Sequence, residues 1–124
     1  MLPINDKIKK LIEGNAIALS TIGEDGNPHC IAVAFVKVVS GDQLLITDNY
    51  MVTTPENLKK NKNVAIAFWN KGWEDNCIGY ELKGEADYFT EGKWHEKARR
   101  IPENDGEPCK GAILVTLNNI KRLA

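Results

Sequence analysis

Ala16-Ile17-Ala18-Leu19-Ser20-Thr21-Ile22-Gly23-Glu24-Asp25-Gly26-Asn27-Pro28-His29 is the stretch whose reading decides the fold of this chain. An uncharged, largely apolar run gives way to a cluster of turn formers. That order reads as a buried strand entering a hairpin, because Asp25-Gly26 suits the positive dihedrals of a tight turn. His29 to Val39 follows as a second, long strand. Upstream the period differs. Ile4, Ile8, Leu11 and Ile12 recur at helical spacing, Asn5 can cap a helix over Asp6–Glu13, and Gly14 stands where a closing glycine belongs.

Downstream the strand pattern continues. Ser40-Gly41-Asp42-Gln43 is a turn, Leu44–Thr47 a third strand and Val64–Trp69 a fourth. Tyr80–Phe89 alternates, with Tyr80, Leu82, Ala86 and Tyr88 on one face and Glu81, Lys83, Glu85 and Asp87 on the other. Lys93–Ile101 can be helical, Pro102–Pro108 is a polar loop and Ala112–Leu117 a last strand. Six short strands joined by tight turns predict an antiparallel barrel rather than alternating strand–helix units. Several strands (16–22, 31–36, 64–69 and 112–117) are apolar on both faces, so a helix or a second subunit must cover the outer one. A homodimer is the expectation.

The 124 residues fit one domain, 1–124, large enough to bury a core without disulfides. A net charge of −1 supplies no field for nucleic acid or anionic membrane, and Trp69, Trp73 and Trp94 do not interleave with a basic patch. No apolar run reaches bilayer length, and Met1–Lys7 lacks the order of a signal peptide, so a cytoplasmic location is the default expectation. Cys30, Cys77 and Cys109 lie far apart and form no metal or dithiol motif. The glycine-rich dinucleotide and phosphate-loop signatures are absent, as is a nucleophile elbow. His29, His95 and the Glu74-Asp75 pair read as ordinary polar residues, so no side chain is assigned as general acid or base.

Two features leave room for a ligand. Cys30, Ala32 and Ala34 form a small-residue row on the second strand, opposite Ile31, Val33 and Phe35. Such a row either fits a tapering barrel interior or lets a flat body lie against the strand. The segment Thr53-Thr54-Pro55-Glu56-Asn57-Leu58-Lys59-Lys60-Asn61-Lys62-Asn63-Val64 starts a helix of about two turns. Thr53 with Glu56 matches a capping box, or Thr54 caps with Pro55 at the first helical position. A helix start with hydroxyls beside free N–H groups also suits a phosphate.

In order and spacing these pieces resemble the FMN-binding split-barrel family, which includes the pyridoxamine 5'-phosphate oxidase-like proteins. The resemblance runs from about Ala16 to Leu117. It rests on Ala18–Thr21 with Glu24–His29, on Ile31–Val36, on Thr54 with Asn57–Val64, and on Leu82-Lys83-Gly84-Glu85-Ala86.

The resemblance implies a six-stranded antiparallel split β-barrel of Greek-key type with a few short helices. It also implies a homodimer with FMN at the subunit interface. The flavin ring would take backbone hydrogen bonds at Ala32, Val33 and Ala34 and at Thr47, Asp48 and Asn49. The phosphate would lie at Met51, Thr53 and Thr54, with Asn57 nearby. Cys109 and Lys110, and the terminal Leu123 and Ala124, would approach from the partner subunit. The chain departs from its relatives in carrying Thr53 where they often have a basic residue, leaving Lys37, Lys59 or Lys110 to substitute. It also lacks their arginine- and histidine-bearing end, which argues against oxidation of pyridoxamine phosphate. The implied function is an FMN-binding redox protein, a flavin-dependent reductase or electron carrier. The rival is a non-catalytic barrel that lacks FMN and binds another small molecule or a protein.

Overall fold

The computed structural model describes residues 2–123. Its elements are α1 (Asp6–Glu13), β1 (Ile17–Ile22), β2 (Pro28–Val33), β3 (Val36–Ser40), β4 (Gln43–Asp48), α2 (Thr53–Lys60), β5 (Asn63–Trp69), β6 (Gly79–Phe89), α3 (Lys93–Arg99) and β7 (Gly111–Arg122), with a tight helical turn over Pro102–Asn104. The strands form one seven-stranded sheet, ordered β2-β1-β5-β6-β7-β4-β3, in which all pairings are antiparallel. The expected antiparallel split barrel is present, with seven strands in place of six.

The extra strand comes from a break in the long second one. Its chain leaves the β1 ladder at Val33 and joins the β4 ladder at Val36, so Ala34-Phe35 bridges the two edges of the sheet. The inward phase slips there. Val33 and Val36 are both buried, whereas Phe35 is 42% exposed. In an unbroken strand Lys37 would fall on the inward phase with Val33 and Phe35. The slip lets it reach Glu103 Oε1 at 2.6 Å instead.

The first hairpin closes with Glu24, Asp25 and Gly26 between Gly23 and Asn27, whose backbones pair (Gly23 N–H to Asn27 O, 2.8 Å). Only Gly26 takes a positive φ (82°), while Asp25 accepts from the Asn27 N–H at 3.0 Å. A three-residue loop ending in a left-handed glycine thus replaces the expected tight pair of positive dihedrals.

Asn5 caps α1 as expected, accepting from the Ile8 N–H at 2.8 Å. Ile8 and Ile12 plug one end of the barrel, with Ile4 and Leu11 packed at the edge of the same core. That core holds Leu19, Ile66, Phe68, Leu82, Ile113 and Val115. A second cluster of Leu45, Ala98, Ile101, Cys109 and Ala112 covers the outer face of β4 and β7 with α3.

Gly84 sits at a bulge where β6 meets β7, and a Cβ there would collide with the carbonyl oxygen of Thr116. Among the described residues no helix is long and apolar enough to cross a membrane.

Candidate functional site

The split between β2 and β3 is where the backbone leaves something open. Among the described residues β2 pairs only with β1, so alternate N–H and C=O groups on its free edge have no strand partner there. Ala32 and Ala34 are exposed and Ile31 is half-buried, so the small residues face outward rather than into the barrel. Of the two explanations for the row, a tapering interior is excluded. Ala32, Val33 and Ala34 instead form one wall of a cavity of about 490 Å³, whose other walls include Thr47, Asn49 and Met51. The fold therefore brings together six of the residues singled out in the sequence.

Asn49 holds this place together. Its amide donates to Asn104 Oδ1 at 2.7 Å and its Oδ1 accepts from Asn104 Nδ2 at 3.0 Å and from the Cys109 N–H at 3.1 Å. The turn after β4 is thereby pinned to the loop before β7. Cys109 is buried, with φ 43°, and its carbonyl meets His95 Nε2 at 2.8 Å. Burial pushes its thiol pKa up, so it is a poor nucleophile.

Asp48 lies below the cavity, fully buried. Its Oδ1 accepts from the Met51 N–H at 2.8 Å and its Oδ2 from the Tyr88 hydroxyl at 2.5 Å. Lys110 Nζ stands 3.8 Å from the same Oδ2 and donates to the Met51 carbonyl. This knot shapes the turn that leads into α2. Burial, then the bond to Asp48, holds the Tyr88 phenol well above the ordinary tyrosine range.

α2 starts without the expected cap. Val52 occupies the cap position and no side chain caps the helix, so neither the Thr53–Glu56 box nor a Thr54 cap forms. Thr53 takes the first helical position and Pro55 the third. The N–H groups of Thr53 and Thr54 thus lack an intrahelical partner, as first-turn donors do, and Pro55 has none to offer. Thr53 is exposed and shares a hollow with Asn57, Gly23, Asn27 and His29. Thr54 is buried, and Asn57 donates to Thr21 Oγ1 at 2.9 Å.

The remaining residues singled out in the sequence are dispersed. Lys110 lines a separate hollow with Val52, Pro55 and Tyr88. Lys59 is paired with Glu56 at 3.1 Å and Lys37 with Glu103. Leu123 is exposed, its N–H on the Gly79 carbonyl at 2.8 Å, and Ala124 lies outside the described residues. Cys109 lies behind Asn49 rather than in the cavity wall.

The sequence reading missed the far wall. Phe35, Tyr50, Glu103, Asp105 and Glu107 line the same cavity. Uninterrupted alternation sets Phe35 opposite the small-residue row without saying which face lines a cavity, and the Pro102–Pro108 loop carries no periodicity to place its acids. Tyr50 donates to Glu107 Oε2 at 2.6 Å, a bond that raises the phenol's pKa. Lys37 holds the Glu103 carboxyl below its usual range.

Among solved structures, the HupZ protein of Group A Streptococcus superposes with a TM-score of 0.87 at 22% identity, over 97% of this chain and 94% of that one. An FMN-binding protein of Syntrophomonas wolfei gives 0.76 at 15% identity, over 94% and 83%. These likenesses show the fold. An uncharacterized protein of Methanocaldococcus jannaschii is 28% identical over 130 residues, spanning 99% of this chain and 83% of that protein. The pyridoxamine 5'-phosphate oxidase family model matches residues 4–121, from the α1 stripe to the end of β7. The chain belongs to the pyridoxamine 5'-phosphate oxidase family.

Proposed function

We propose that this protein binds FMN and works as a redox protein, a flavin-dependent reductase or electron carrier. The observation that carries the reading is the outward row of Ala32 and Ala34. It opens on a cavity closed by Thr47, Asn49 and Met51, with an uncapped helix start just beyond. A flat ring needs small side chains and free backbone groups along one edge, and the β2 edge has both. A phosphate needs N–H donors, and the first turn of α2 has them free. The FMN-binding name of the Syntrophomonas wolfei structure points the same way.

In this reading Ala32, Val33, Ala34, Thr47 and Asn49 hold the ring, while Met51, Thr53 and Thr54 with Asn57 hold the phosphate. Asp48 acts through the turn, fixing Met51 from beneath. Lys110, on the Met51 carbonyl, is a cation at the helix start and takes the place of the basic residue that Thr53 lacks. Bound FMN would supply the hydride or electron transfer, and the chain would position the ring and exclude water. Oxidation of pyridoxamine phosphate is not part of the proposal. It needs a basic pocket for a second phosphate, and among the described residues no lysine, arginine or histidine lines the ring cavity.

The protein would act as a homodimer. On the outer face of β2, β1 and β5, register places Cys30 and Ala32 beside Ser20 and Ala18, and these beside Ala65 and Ala67. This flat surface of small residues suits a second copy.

The engaged lysines favour the rival reading, a barrel binding some other molecule without FMN. An absorption spectrum before and after adding FMN and desalting separates the two. Retained flavin bands support the proposal, and a colourless protein that returns all its FMN would sink it.

A further inference from the structure

The far wall of the ring cavity has a chemistry that FMN does not use. Glu103, Asp105 and Glu107 line it together with the rings of Phe35 and Tyr50. We propose that this mouth admits an organic cation, a flat or quaternary ammonium compound, as the second ligand of the site. The proposal rests on the flavin reading only for what lies on the cavity floor.

Charge gives the first argument. Among the described residues, every charged side chain lining the cavity is an acid. Lys37 pairs with Glu103 at 2.6 Å from outside the lining, while Asp105 and Glu107 have no ion-pair partner among the described residues. Two negative charges therefore remain at the mouth. Low-dielectric walls focus such a field and favour a cation over an anion.

The rings give the second. Phe35 is 42% and Tyr50 74% exposed, so both rings are open to a ligand in the cavity they line. An aromatic face beside carboxylates is the chemistry that binds ammonium groups. Tyr50 is fixed in this place, since its hydroxyl donates to Glu107 at 2.6 Å. The loop itself is held by the reciprocal amide pair of Asn49 and the buried Asn104, so the rim is built rather than loose.

A third observation points to a ligand independently of charge. Thr47 is only 8% exposed and lines the cavity. Among the described residues no enclosed side-chain polar atom lacks a partner, yet the Thr47 hydroxyl makes no hydrogen bond within the chain. Its oxygen is therefore open rather than enclosed, on the floor that the flavin reading gives to the ring, and it marks the cavity as a binding site while the acids and rings of the far wall select the second ligand.

The test compares two viologens with the same bipyridinium core: methyl viologen, a dication, and its bis(3-sulfonatopropyl) analogue, a zwitterion of zero net charge. Calorimetric titration is run on the protein with and without FMN, flavin uptake being read separately from absorption. Methyl viologen binds roughly tenfold more tightly than the zwitterion, and added salt narrows the gap. Glu103→Gln/Asp105→Asn/Glu107→Gln removes most of the preference. Asp105→Asn alone, at an exposed side chain, removes part of it. Equal binding of the two viologens, or a preference that survives the triple substitution, overturns the cation proposal. Absence of flavin uptake would overturn the FMN reading instead, and the viologen comparison on the flavin-free protein would still decide the present one.

Discussion

Asp48 and Tyr88 show how single residues shape the site without lining the cavity. A buried carboxylate is costly unless its oxygens are satisfied, and here Met51, Tyr88 and Lys110 surround it. The Tyr88 phenol is favoured neutral in the folded chain, so its pKa lies above the ordinary value of 10.0. A raised pKa means the folded state keeps a proton that the unfolded chain gives up. The stability this adds is complete below about pH 10 and drains away as pH climbs past it. Urea midpoints measured from about pH 8 to about pH 11 therefore fall, and in Tyr88→Phe they fall less steeply. An identical slope in the variant would show that the phenol is not so held. Neither partner of this bond was legible as a pair in the sequence, because forty residues separate them and only the β4–β7–β6 pairing brings them together.

Elements were easier to read than their ends. The α1 stripe and the β6 alternation follow directly from burial on one face. The break at Ala34-Phe35 was missed because alternation continues through it. Its one trace is Lys37, which an unbroken strand would turn into the core. The α2 capping signals misled in the other direction. Hydroxyls at the right spacing do not cap when Val52 holds the cap position, and that leaves them available. Thr53→Ala/Thr54→Val is therefore predicted to weaken FMN binding by roughly tenfold or more, the worth of one or two hydrogen bonds. Since neither hydroxyl caps the helix, the unfolding free energy changes by less than about 1 kcal/mol. Loss of stability with unchanged affinity would assign the pair a structural role. At the β6–β7 bulge Gly84→Ala forces a Cβ into the Thr116 backbone, which cannot yield as a side chain would. It should cost about 1–3 kcal/mol or more in chemical denaturation, and a neutral substitution would contradict the register there.

For the molecule as a whole, the sequence showed that some outer faces were too apolar for water but not what covers each. β4 and β7 are covered within the chain by α3 and the loop after it. On the face of β2, β1 and β5 the small residues stay open, with Cys30 and Ala32 exposed and Ala18, Ser20, Ala65 and Ala67 half-buried. Ala18 lies at its centre, opposite Ala32 and Ala67. Sedimentation at micromolar concentration should find the native protein dimeric and Ala18→Arg monomeric, and a native monomer would remove the dimer from the account.

The central claim is that a flavin ring lies on the β2 edge at the split. Ala32 is exposed there, so Ala32→Trp fills the edge without disturbing the core. The most direct test is a fluorescence titration of FMN with the native protein and with Ala32→Trp. The account predicts saturation at one FMN per chain for the native protein, and binding weaker by about a hundredfold, a loss of some 2.8 kcal/mol, for a variant whose circular dichroism shows the sheet intact. Equal binding by the two proteins, or free FMN fluorescence throughout the native titration, would contradict it.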